Sequence, residues 1–137
     1  MKKDIPVYKV TDLAIAVVPR AEDDIKDALL WDTFIINMRD SPIRSVLISS
    51  KGYGNNVEGR TVKTNTLRHF FEEIGPKRAV QIEPIQTKLF NITNEYWVSF
   101  TFDEDMYDKK YVFVRGSIEP YNFTNIPYVE RPGVMIK

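Results

Sequence analysis

Between Asn94 and Val114 the chain alternates with a period of two. Tyr96, Val98, Phe100 and Phe102 fall on one side, and Trp97, Ser99 and Thr101 on the other. A half-buried strand requires that period, and a helix cannot use it. The polar stretch Asp103 to Lys110 then reverses the chain, and Tyr111-Val-Phe-Val114 returns beside the first strand. Aromatic and β-branched residues dominate both arms, which suits a pleated surface. A β-hairpin here commits the chain to antiparallel sheet.

The 137 residues suffice for one domain, and a chain of this size buries roughly two-thirds of its unfolded surface. Hydrophobic residues make up 43% and charged residues 28%, so the chain is not compositionally disordered. Nineteen basic residues balance nineteen acidic ones, whereas nucleic-acid binders usually carry a surplus of Lys and Arg. The balance argues against a nucleic-acid partner. Cysteine is absent, which excludes disulfides, thiolate metal sites and a cysteine nucleophile. Leu13 to Val18 is the longest apolar run and is too short to span a bilayer as a helix. The expectation is a cytoplasmic protein without a membrane partner.

Further strands follow from the same patterning. Asp12 to Arg20 holds Leu-Ala-Ile-Ala-Val-Val and reads as a first strand buried on both faces. Ala21 to Leu30 reads as a short helix or a solvated loop. Trp31 to Met38 and Ile43 to Ser50 alternate, and with Arg39-Asp-Ser-Pro42 between them they suggest a second hairpin. Gly52 to Gly59, rich in Gly and Asn, reads as a loop. Thr64 to Ile74 is ambiguous: Leu67, Phe70, Phe71 and Ile74 have helical spacing, and Gly75-Pro76 would end such a helix. Its surroundings favour a strand that turns at Gly75-Pro76-Lys77 and pairs with Ala79 to Ile85. Residues 117–137 carry Pro120, Pro127, Pro132, Tyr121, Phe123 and Tyr128, and read as an extended arm packed on domain 1–116 or on a neighbour.

Phe90-Asn-Ile-Thr-Asn-Glu-Tyr-Trp-Val-Ser-Phe100 is similar to the approach to the sixth strand of immunoglobulin-like β-sandwiches of the fibronectin type III kind. Phe34 to Val46 resembles the step from second to third strand in such modules. The resemblance implies an all-β antiparallel sandwich and makes Tyr96 the tyrosine-corner residue, its ring buried and its hydroxyl bonded to backbone upstream. It carries over no catalytic residues, because this fold hosts many functions.

No reacting constellation emerges from the residues. His69 is the sole histidine, with no visible nucleophile or ligand partners, and reads as a surface or boundary residue. Asp103, Glu104, Asp105 and Asp108 crowd one segment but lack the glycine and terminal Glu of a calcium loop, so a solvated tip is the better reading. Gly52-Tyr-Gly54 lacks the third glycine of a dinucleotide fingerprint, with Val57 in its place. Asn91-Ile-Thr93 and Asn122-Phe-Thr124 match the glycosylation pattern, which signifies nothing without export. Neither metal nor cofactor is expected, nor is an enzyme. The expected function is protein–protein interaction or assembly, as a homodimer in which the C-terminal arm takes part. Small-ligand or single-stranded nucleic-acid binding through the basic segment 39–68 is the alternative. Tyr53, Arg60, Arg68, Tyr121, Phe123 and Tyr128 are the candidate binding residues.

Overall fold

A computed structural model describes residues 9–20, 27–55 and 57–137. Ten strands occupy most of that length: β1 (Leu13–Pro19), β2 (Leu30–Asn37), β3 (Ile43–Asn55), β4 (Thr61–Lys63), β5 (Leu67–Ile74), β6 (Arg78–Gln86), β7 (Thr93–Phe102), β8 (Asp105–Phe113), β9 (Thr124–Ile126) and β10 (Arg131–Ile136). One sheet has the order β6-β2-β1-β10-β9. In the other, β3 pairs with β7 and then β8 on one side, and with both β4 and β5 on the other. All pairings are antiparallel, and the two sheets pack as an all-β sandwich.

The core lies between the sheets. Leu13, Ile15 and Val17 of β1 meet Ile43, Val46 and Ile48 of β3, Val98 and Phe100 of β7, and Tyr111 and Phe113 of β8. Ala14, Ala16 and Val18 point the opposite way and are buried in a second, smaller cluster with Ile36 and Ile126. This accounts for the unbroken apolar run of β1: both of its faces are covered.

The hairpin β7–β8 forms as expected, with a tighter turn. Phe102 pairs with Asp105, which leaves only Asp103 and Glu104 at the tip. Their φ angles of 51° and 68° are those of a two-residue type I′ turn, whose twist matches the flanking strands. Asp105 to Lys110 therefore belong to the strand.

Other pairings depart from the expectations. The proposed hairpin between Trp31–Met38 and Ile43–Ser50 does not exist, because β2 pairs with β1 and β6 while β3 lies in the opposite sheet. Alternation identifies a strand without naming its partner, and a short connection serves an arch between sheets as well as a hairpin. Asn37 fixes the arch. Fully buried, its side-chain amide donates to the carbonyls of Ser41 and Gly75, at 3.1 and 2.9 Å, and its carbonyl accepts from the Arg39 amide at 3.0 Å. Gly52 to Gly59 is only partly loop, since β3 continues through Asn55. Thr64 to Ile74 contains the strand β5 and no helix, yet β5 pairs with β3 and β6 with β2, so the two are not a hairpin. Most of Ala21 to Leu30 lies outside the described residues.

Residues 117–137 are woven into the first sheet, where β10 is an inner strand paired with both β1 and β9. Pro132 is tolerated opposite Asn125, where β10 meets the three-residue β9 at the sheet edge. Gly133 permits the close approach: a Cβ there would come within 2.6 Å of the Val17 carbonyl oxygen.

Candidate functional site

Two surfaces stand out. The first is a cleft of about 440 Å³ at the open edge of the sandwich, where β5 of one sheet faces β6 of the other. Its polar residues include Ser50, Glu83, Asn94 and Tyr96, and its apolar ones include Val62, Leu67, Ile85 and Leu89.

A β-bulge sets the direction of Glu83. Asp32 pairs with Pro84 and Phe34 with Gln81, so Ile82 and Glu83 together oppose Thr33 alone. The Thr33 hydroxyl fills the broken ladder, donating to the Glu83 carbonyl at 2.7 Å and accepting from the Glu83 amide at 3.2 Å. The bulge sends Glu83 across the gap between the sheets. There its Oε1 accepts from the Ser50 hydroxyl at 2.6 Å and lies 3.2 Å from His69 Nε2. The Glu83 side chain is 11% exposed.

Tyr96 is buried beside this group. Burial, with the Glu83 charge second, raises its hydroxyl pKa well above the usual value, and a hydrogen bond with the Thr33 side chain acts in the opposite direction. The buried tyrosine bonded to backbone far upstream is instead Tyr111, which donates to the Leu13 carbonyl.

The second surface is the outer face of the β5-β3-β7-β8 sheet. The registers place Phe70, Leu47, Ser99 and Asp108 in one row across the strands, and Arg68, Ser49, Trp97 and Lys110 in the next. Lys51, Glu95 and Val112 form a third row. Phe70 is 65% exposed and Trp97 is 42% exposed. Lys110 sits over the Trp97 ring, 4.8 Å from its centroid. Glu95 is buried, with Lys51 and Lys110 at 3.8 and 4.0 Å and the Tyr53 hydroxyl donating at 3.3 Å. Desolvation, then the Glu95 charge and hydrogen bond, raise the Tyr53 pKa.

Of the residues singled out from sequence, Tyr53 and Arg68 fall on this outer face. Arg60 lies near the start of β4, 3.9 Å from Glu58, in the same ion-pair neighbourhood as its own turn. Tyr121 is exposed and donates to the Gly116 carbonyl at 3.3 Å, and Tyr128 is exposed at a φ of 66°. Phe123 turns inward and packs edge-on against Trp31 at 5.7 Å. Trp97 and Leu47 carry no local signal of a site, and their grouping with Phe70 depends on strand pairing. Sequence reasoning also passed over Glu83, whose direction depends on the bulge.

Among the described residues no group of three or more His, Asp or Glu is placed to hold a metal ion. No helix among them is long and apolar enough to cross a membrane. No protein-family model, curated protein or solved structure matches the chain.

Proposed function

We propose that this protein is a non-enzymatic sandwich module of the immunoglobulin-like kind that acts by protein–protein interaction, as a homodimer formed through the outer face of the β5-β3-β7-β8 sheet. Strand order supports the fold kinship: the first, second and sixth strands share one sheet, and the third, seventh and eighth share the other, the division of strands A, B and E from C, F and G. The pairing of β5 with β3 and the addition of β9 and β10 are this chain's own elaborations.

The observation that carries the reading is a self-complementary arrangement of charge around an apolar centre. Phe70, Leu47 and Trp97 are exposed in neighbouring rows. Arg68 and Lys110 stand at the two ends of the Trp97 row with Lys51 one row beyond it, while Asp108 ends the row of Phe70 and Leu47 and the exposed Glu72 follows Phe70 along β5. A two-fold axis through the apolar centre sets each basic end against the partner's acidic end, as an isologous interface requires. Single exposed apolar residues are ordinary on a surface, whereas adjacent ones on one sheet face mark a contact region. The arrangement of Ser50 and His69 agrees with a binding role. Both are directed at Glu83, whereas nucleophilic activation needs the histidine between the serine and the acid.

The test is mass in solution by light scattering. The wild-type chain is expected to run as a dimer that weakens with added salt. Phe70→Glu and Leu47→Glu, at exposed positions, are expected to give folded monomers with unchanged thermal unfolding. A monomeric wild type, or variants that remain dimeric, would overturn the assignment.

A further inference from the structure

The cleft at the open edge shares only Lys51 with that face, and its chemistry is different. Glu83 is its one acidic side chain, and only one carboxylate oxygen is engaged: Ser50 and His69 both address Oε1, and Oε2 accepts no hydrogen bond from the described residues. A largely buried carboxylate with one oxygen open to the cleft has acceptor capacity and negative charge to offer. The walls around it, Val62, Leu67, Ile85 and Leu89, are apolar and come from both sheets and the connections beside them. Two lysines line the cleft: Lys88 is exposed to water, where its charge is screened, and the Lys51 ammonium is paired with Glu95 at 3.8 Å.

The floor is fixed in place. Thr33 clamps the Glu83 backbone on both sides, and the Asn94 amide donates to the carbonyls of Leu89 and Ile92, at 2.7 and 3.2 Å. Gly52 keeps the β3 wall low, because a Cβ at that position would lie 2.9 Å from Ile92 Cδ1 and 3.1 Å from Asn94 Oδ1. The volume falls within the range of small-molecule sites, which are mostly apolar with a few polar groups fixed for orientation.

From these features we infer that the cleft is a binding site for a small amine with an apolar body. The ammonium group donates to Glu83 Oε2, and the body lies against Leu67, Ile85 and Leu89. An anionic ligand of the same shape meets the like charge of Glu83 and is rejected. A neutral one donates to the carboxylate without bringing an opposite charge, and so binds more weakly.

The experiment titrates the full chain with phenethylamine, 3-phenylpropanol and 3-phenylpropionate, followed by amide chemical shifts. Phenethylamine is expected to cause saturable shifts at Gly52, Leu67 and Asn94, with the alcohol weaker and the acid inactive. Glu83→Gln is expected to weaken the amine roughly ten- to hundredfold while leaving the alcohol little changed. Leu67→Arg changes a half-exposed rim residue, so it is expected to fold normally and to abolish binding. It keeps the inference testable if Glu83→Gln fails to fold. Absence of saturable shifts at those amides, equal affinity for the three probes, or unaltered binding by either folded variant would overturn the inference.

Discussion

The Tyr111 hydroxyl donates to the Leu13 carbonyl at 3.0 Å, and this buried hydrogen bond joins the two sheets. Tyr111 lies on the inner face of β8, fully buried, and reaches across the core to the first residue of β1. The two ends of the bond are 98 residues apart in the chain, so it forms only when both sheets have assembled.

Tyr111→Phe removes the donor while keeping the ring, and leaves the Leu13 carbonyl without it. The expected cost is about 1–2 kcal/mol, read as a lower denaturant midpoint with an unchanged slope. A shift within experimental error would show that the bond contributes nothing net.

Thr33→Val keeps the shape and β-propensity of the side chain but deletes both contacts with the Glu83 backbone. Two buried backbone groups at the bulge lose their partner, so a loss of about 1–3 kcal/mol is expected. The Glu83 amide should exchange with solvent faster than its β6 neighbours. Equal protection would mean that the bulge does not depend on Thr33.

Gly133→Ala places a methyl group 2.6 Å from the Val17 carbonyl oxygen and 2.9 Å from Val18 Cγ2. The first of these is backbone in the middle of a sheet and cannot turn aside. Strands β1 and β10 must separate locally, and overpacking of this kind typically costs about 1–3 kcal/mol. Thermal unfolding reads the loss, and an unaffected melting temperature would show that β10 is not held against β1.

Tyr96 and Tyr111 are both buried, and desolvation raises the pKa of each hydroxyl well above the ordinary 10.0. In the unfolded chain they ionise near 10.0, whereas in the folded chain they keep their protons to higher pH. Above pH 10.0 the folded state therefore binds more protons than the unfolded state, and stability falls as pH rises further. Below that value the contribution is present in full. Titration followed at the phenolate absorption band is expected to show two tyrosines ionising only as the fold is lost. Reversible ionisation of all seven tyrosines with the near-ultraviolet dichroism intact would contradict this.

Much of the architecture is legible in local pattern. Alternation located β2 and β7 and, through Tyr111 to Val114, only the last residues of β8, and the unbroken apolar run of β1 announced a strand covered on both sides. The surroundings of Thr64 to Ile74 favoured a strand over its helical spacing, and β5 is one: the exposed Arg68 and Phe70 alternate with the partly buried His69 and Phe71. Pairing was another matter. Nothing within Trp31–Ser50 distinguishes a hairpin from an arch, since the choice rests on Asn37 finding carbonyls in Ser41 and Gly75, the latter 38 residues away.

The candidate sites divide along the same line. Residue identity and near-neighbour spacing suffice to make the chain β-rich, free of cysteine chemistry and balanced in charge. That Phe70, Leu47 and Trp97 share a face, that residues 117–137 complete a sheet, and that Glu83 turns into the cleft follows from the packed strands alone. Register brings together residues distant in the chain, and one extra residue opposite Thr33 redirects the side chain of Glu83.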